Sequence, residues 1–274
     1  MKLAYQVATP EVHTPDVTAW RGDLPTAFSL LTDLGYGGVE LMVRDPAQVD
    51  APRLEALTRE FALPITLVCT GEVYGEDRLS FMDPDPAVRA EARRRTAAAV
   101  QLAARFGVDT NVGRLRGRLR DDVPAETSLG WARAALLEAA DLAGERGIHV
   151  LIEPINHRSA NWILTAADGV AFVRDLNHPA LALMLDTGHM SIEGEDFAAS
   201  FLAARGCNRY VHLCDDNRLA PGMGSLDFAA IIAGLRAAGY DGHVAIEAAQ
   251  RPDSPTAARQ SARVLLPLLG PSED

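Results

Sequence analysis

Eight times along its 274 residues, this chain follows a short β-rich run with an amphipathic stretch rich in alanine and leucine. That alternation constrains the fold more than any other feature, because repeated strand–helix units build parallel sheets. The strand candidates are Leu3–Ala8, Gly38–Val43, Pro64–Cys69, Asp109–Val112, His149–Glu153, Leu181–Asp186, Tyr210–Cys214 and His243–Glu247. The helix candidates lie near Pro25–Leu34, Pro52–Phe61, Ala87–Phe106, Ala125–Arg146, Ala166–Leu176, Phe197–Ala204, Phe228–Ala238 and Thr256–Leu268. Leu136, Ala140 and Ala143 recur at three-to-four spacing, with Leu137 beside them on one broad face, as an amphipathic helix requires. Helices end in the phrases Leu34-Gly35-Tyr36, Phe106-Gly107-Val108 and Arg146-Gly147-Ile148, where glycine turns the chain toward the next strand. With no long break in composition, the pattern predicts one α/β domain over residues 1–274, a single (β/α)₈ TIM barrel. Its active site then sits at the C-terminal ends of the strands, where the βα loops after strands three, four, five and seven are longest. The rival architecture is an open doubly wound sheet. It is not favoured, because no G-x-G-x-x-G follows the first strand, and the same absence predicts no nucleotide cofactor.

Composition narrows the function classes. No apolar run reaches the roughly 18 residues that a membrane span needs. The run Met1–Ala8 is too short and too quickly polar for a secretory signal, so a cytoplasmic location and no membrane partner are expected. The net charge of −11, from 37 acidic and 26 basic residues, disfavours nucleic acid as a partner. Cys69, Cys207 and Cys214 are odd in number and lack C-x-x-C spacing, which predicts reduced thiols and no structural zinc. Lys2 is the only lysine and lies at the start of the first strand, opposite the active mouth, so Schiff-base chemistry is excluded there.

The chemistry-bearing pattern emerges when the ends of strands five to eight are read together. The apolar runs stop at Glu153 in Leu151-Ile152-Glu153-Pro154 and at Asp186 in Met184-Leu185-Asp186-Thr187-Gly188-His189. They also carry His212 in Tyr210-Val211-His212-Leu213 and end at Glu247 in Ala245-Ile246-Glu247. Taken alone, a strand-terminal carboxylate is more often a helix N-cap or ion-pair partner, and a histidine on an apolar strand is usually a hydrogen-bonded core residue. Four such groups at four successive strand ends, with neighbouring strands about 4.8 Å apart, converge on one ion. Three carboxylates and one imidazole are mostly hard oxygen ligands. They predict one divalent metal, with Mn²⁺ expected and Mg²⁺ or Co²⁺ also suited.

These motifs resemble the sugar isomerase/epimerase family of xylose-isomerase-like TIM barrels, the relatives of D-tagatose 3-epimerase and hydroxypyruvate isomerase. The matching phrases are Glu153-Pro154-Ile155-Asn156, Asp186-Thr187-Gly188-His189, His212-Leu213-Cys214-Asp215 with Asn217-Arg218, Pro221-Gly222-Met223-Gly224, and Ile246-Glu247. The resemblance implies that Glu153, Asp186, His212 and Glu247 hold the metal and that Glu153 and Glu247 also exchange protons. It implies that His189 and Arg218 bind substrate oxygens. The blander reading pairs Arg218 with Asp215 or Asp216, with Pro221–Gly224 as the tight turn that carries it. The implied partner is a small polyhydroxy carbonyl substrate, and relatives of this kind are often dimers or tetramers.

The chemistry thus implied is proton abstraction beside a carbonyl, through an enediolate. The sequence departs from the ketose 3-epimerase pattern at Ser159, where those enzymes tend to carry an acid that holds substrate. The adjacent His157-Arg158 pair suits a carboxylate or phosphate, or is simply exposed loop charge. Hydroxypyruvate isomerase-like or inosose dehydratase-like activities therefore stand as alternatives on the same scaffold. An endonuclease IV-like DNA hydrolase is a lesser rival, since it needs histidines where this chain has Val68-Cys69-Thr70 and Asn111-Val112-Gly113. A non-catalytic metal- or sugar-binding barrel has no need of the paired carboxylates.

Overall fold

The computed structural model describes residues 1–270. Eight parallel strands close into a barrel in sequence order: β1 (Lys2–Ala8), β2 (Gly38–Met42), β3 (Ile65–Cys69), β4 (Asp109–Val112), β5 (Val150–Ile152), β6 (Leu181–Asp186), β7 (Asn208–Leu213) and β8 (His243–Ile246). β8 pairs with β1 through Lys2–His243 to Tyr5–Ile246, so no sheet edge is left open. The outer layer is α1 (Leu24–Asp33), α2 (Ala51–Glu60), α3 (Gly71–Gly75), α4 (Pro86–Phe106), α5 (Ala125–Gly144), α6 (Ala166–Leu176), α7 (Thr187–Glu193), α8 (Phe197–Ala203), α9 (Phe228–Ala237) and α10 (Ser254–Leu269).

The strands and the eight long helices lie where the alternation places them, with ends shifted by one or two residues. Gly35, Gly107 and Gly147 all take positive φ, of 85°, 67° and 70°, as the helix-to-strand turns require. Asp23, Asp50, Asp85, Asp186, Asp196, Asp227 and Asp253 each accept backbone N–H bonds at a helix start. Much of the acidic excess is therefore spent on capping, where the helix dipole favours negative charge. Two helices were not expected. α3 and α7, five and seven residues long, begin within two residues of the ends of β3 and β6, so the sequence merges them with the βα loops at the mouth.

Strand alternation divides the core in two. One set of residues faces the helices, and a smaller set fills the barrel: Ala4, Leu67, Leu151, Ala182, Met184, Tyr210 and Ala245. Side chains two positions further along a strand share the same face. Advancing by two from Ala4, Leu67, Leu151, Met184, Tyr210 and Ala245 gives Gln6, Cys69, Glu153, Asp186, His212 and Glu247. The barrel is thus plugged below and polar above. Register shifts between Val39 and Glu40 and between Leu183 and Met184 precede two of the polar positions, as irregularities that re-aim a side chain do.

Candidate metal centre and substrate cavity

Glu153, Asp186, His212 and Glu247 come together at the C-terminal mouth, each offering one ligand atom within 4.8 Å of the others. Asp186 and His212 are paired neighbours across β6 and β7. Glu153 and Glu247 stand one residue beyond β5 and β8, anchored by their N–H groups to Val112 O and Leu213 O. The His212 Nδ1 atom lies 3.3 Å from Glu247 Oε2, 3.7 Å from Glu153 Oε1 and 3.9 Å from Asp186 Oδ2. It is buried and makes no hydrogen bond among the described residues. A lone-pair nitrogen facing three carboxylates inside a protein needs a cation between them, so the donor set fits a divalent metal. The neighbouring Cys214 thiol is pushed well up by burial, which leaves the set without a thiolate and keeps it hard.

The opposite ring nitrogen explains how His212 is aimed. Nε2 lies 2.9 Å from both oxygens of Glu40, a fully buried carboxylate that also accepts from Gln6 Nε2 at 2.7 Å. With Nε2 donating to Glu40, Nδ1 is the nitrogen left to ligate. Burial alone favours the neutral ring, but the Glu40 carboxylate and then Glu247 outweigh it and raise the proton affinity of His212. Burial likewise opposes ionisation of Glu247, yet His212 and then Arg218 hold it well below the usual carboxylate range. Asp186 divides its labour: Oδ1 accepts from Gly188 N and His189 N at the start of α7, while Oδ2 faces the cluster. The same carboxylate thus caps α7 and faces the cluster.

Of the four, Glu153 and Glu247 line a cavity of about 530 Å³, while Asp186 and His212 are buried behind them. His189 and Arg218, the two residues expected to bind substrate oxygens, also line the cavity. Arg158 N donates to Asn156 Oδ1, which turns the amide so that Nδ2 donates to His189 Nδ1 at 2.6 Å. The neutral ring then keeps its proton on Nε2, the atom 3.9 Å from Glu153 Oε1. Arg218 does not pair with Asp215 or Asp216. Its Nη1 donates to both Asp186 oxygens at 2.8 and 3.0 Å, and its Nη2 to Glu247 Oε2 at 2.8 Å. Asp215 instead binds the loop backbone, accepting from Gly222 N, Gly224 N and Leu226 N, and so shapes the turn beside Arg218. The His157–Arg158 pair is split: His157 is held by Glu193 at 2.6 Å, while Arg158 and Ser159 line the cavity.

Comparison with known proteins places this geometry. Residues 28–268 match the family model described as a xylose isomerase-like TIM barrel. The chain belongs to that family. Among curated members, a ketose 3-epimerase from Arthrobacter globiformis is 30% identical over 217 residues, covering 78% of this chain and 74% of the relative. An L-ribulose 3-epimerase from Mesorhizobium japonicum is 30% identical over 233 residues, covering 83% and 76%. The crystal structure of a D-allulose 3-epimerase from Methylomonas sp. in complex with D-allulose superposes with a TM-score of 0.79 at 24% identity, covering 96% of this chain and 95% of that one.

In this xylose isomerase-like barrel, several supporting residues escaped the sequence reading. Asn111 donates to Glu153 Oε2 at 3.2 Å, with its own Oδ1 fixed by Thr70 N, and Thr18 donates to Glu247 Oε1 at 3.2 Å. Gly113 leaves room for Glu153, because a Cβ there would stand 2.7 Å from Oε2. Arg116 is wholly buried and donates to four carbonyls, those of Gly113, Glu153, Trp162 and Ile163, at 2.8–3.0 Å. Burial lowers its guanidinium to about 10, with Glu153 opposing the shift. Glu40, Asn111 and Gln6 had a usable signal, since each is a polar residue on the inward face of an otherwise buried strand. Arg116 had none: it lies in a loop, and loop arginines are normally solvated. Among the described residues, no helix is long and apolar enough to cross a membrane.

Proposed function

We propose that this barrel is a divalent-metal-dependent isomerase or epimerase of a ketose or a related small polyhydroxy carbonyl compound, with Glu153 and Glu247 as its acid/base pair. The observation that carries the reading is the pair of carboxylates flanking the unpartnered His212 Nδ1 at the floor of one cavity. The sugar 3-epimerases among its relatives supply the substrate class. A bound metal, with Mn²⁺ the expected ion, supplies Lewis-acid stabilisation of the charge that develops on the substrate oxygens.

The remaining work falls to the chain. Glu247, whose Oε2 lies beside His212 Nδ1 and Arg218 Nη2, is placed to accept a proton from the carbon beside the carbonyl. Glu153 is steered by Asn111 through Oε2, which leaves Oε1 facing the site to deliver or take the second proton. Either residue can act first, and the direction depends on which stereoisomer is bound. His189 Nε2–H and the Arg218 fork orient hydroxyl oxygens above them.

The test is incubation of the manganese-loaded protein with ketoses, hydroxypyruvate and inososes in deuterated water, followed by NMR. Deuterium incorporation at the carbon beside the carbonyl of a ketose, with formation of its epimer or isomer, is the expected result. Exchange confined to hydroxypyruvate, or loss of water from an inosose, transfers the site to the alternative activities. No exchange with any of them removes the reading.

A further inference from the structure

The cavity has a second charged region, on the side away from the metal cluster. Arg78, Arg114 and Arg158 all line it, and they come from three different βα loops. The charges of the floor are mutually accounted for, since Asp186, Glu153 and Glu247 face His212 and Arg218. Two other carboxylates line the cavity. Asp16 is paired with Arg251 at 2.9 Å, and Glu72 takes a hydrogen bond from Thr14 and a longer 3.4 Å contact from Arg114. Among the described residues, Arg78 and Arg158 have no carboxylate within ion-pair distance. In a chain of net charge −11, an excess of guanidinium in one concave region is contrary to the average surface.

These side chains are also placed with some rigidity. Arg78 and Arg114 share the Tyr74 ring, each with its guanidinium carbon 5.7 Å from the ring centroid. Arg78 sits at φ 57°, a left-handed conformation that is unfavourable for a non-glycine residue and recurs at functional sites. Arg158 is carried by the same turn whose N–H sets the Asn156 amide and, through it, His189.

We infer that the substrate is an anionic sugar derivative, a polyhydroxy ketone whose end remote from the metal bears a phosphate or a carboxylate held by Arg78, Arg114 and Arg158. The inference rests on the cavity's being the substrate site. Planar guanidinium forks match the oxygen geometry of both anions.

Binding separates this inference from the reaction proposed above. Calorimetric titration of the manganese-loaded protein with glucitol, glucitol 6-phosphate and gluconate uses polyols that have no carbonyl and cannot turn over. At least one charged polyol is expected to bind about tenfold or more tightly than glucitol, the better one naming the anion. That preference should fall toward unity in the doubly substituted Arg78→Met/Arg158→Met protein and at high salt. Equal affinity for all three polyols overturns the inference, as does a preference that the double substitution leaves unchanged. Failure of ketoses to exchange deuterium would remove the epimerase reading without altering these titrations.

Discussion

The two sides of the mouth are built by different means. On the β5–β8 side, the functional groups stand on or next to strand ends, are buried, and are each held by at least one further hydrogen bond. On the side of the β3, β4 and β5 loops, the charged groups are arginines on loop segments, and Arg78 and Arg158 are solvent-exposed. The first side is negative and set on strand ends, and the second is positive and carried by loops. Chemistry that needs atoms fixed to a fraction of an ångström is therefore placed on the barrel, and recognition of the rest of a substrate is left to loops.

Breaking the strand-end side should have the largest consequences. Glu153→Gln and Glu247→Gln are each expected to cut turnover by about a thousandfold or more, because each removes a proton acceptor while keeping the shape. The check is deuterium incorporation by NMR, with thermal unfolding to show that the fold persists. Normal activity in both variants would dissolve the distinction between the two sides.

Arg116 tests whether the strand-end side depends on its buried scaffold. Arg116→Met leaves the Glu153 and Trp162 carbonyls without a donor, while those of Gly113 and Ile163 keep the N–H groups of residue 116 and Ile155. At about 1 kcal/mol for each orphaned carbonyl and about 0.5 kcal/mol for each of the other two lost bonds, a loss of roughly 3 kcal/mol is expected. In a chain of this size, that lowers the thermal midpoint by about 6 °C or more. Arg158→Met, on the exposed side, should leave the midpoint within about 1 °C. Equal shifts in a melting comparison would show that Arg116 does not brace Glu153.

Glu40→Gln asks a smaller question about the same side. It keeps a hydrogen-bond acceptor for His212 Nε2 but removes the charge, and should weaken Mn²⁺ binding by about tenfold. Titration calorimetry with Mn²⁺ reads this directly, and unchanged affinity would reduce Glu40 to a packing residue.

The smallest expected effect lies on the outer helix α4, remote from both sides. Glu91 is held at about 2, first by its bond from Arg94, against burial and with further help from Arg95. Its folded value lies below its unfolded one. Its stabilisation is therefore complete above about pH 4.5 and is lost as pH falls through about 2. Because the side chain is one-third exposed, the gain is expected to stay under about 1 kcal/mol. Glu91→Gln should flatten the acid limb of thermal stability only slightly between pH 5 and 3, and a large change there would contradict the assignment.

Particular residues mark how far the sequence could be read. The eight strand–helix units were legible because their hydrophobic periods are long enough to show, whereas α3 and α7 merge with the loops that follow β3 and β6. Glu153, Asp186, His212 and Glu247 were legible because each ends or interrupts an apolar run at the same place in its unit. Glu40 carried the same signal but lies on β2, well before those four residues. Only closure of the barrel sets it opposite His212, 172 residues away in sequence. Arg218 was read correctly as a cavity residue, but its partners, Asp186 and Glu247, depended on how Asp215 folds the intervening loop.

By itself, then, the sequence determined the barrel, the end of it that is active and the four groups at its floor, because hydrophobic alternation and strand parity are local properties. The tertiary structure decided that His212 turns Nδ1 toward the three carboxylates, that Arg116 turns inward, and that His157 and Arg158 part company. Those outcomes depend on which side chains from distant loops compete for the same few hydrogen-bond partners, and no local pattern records that competition.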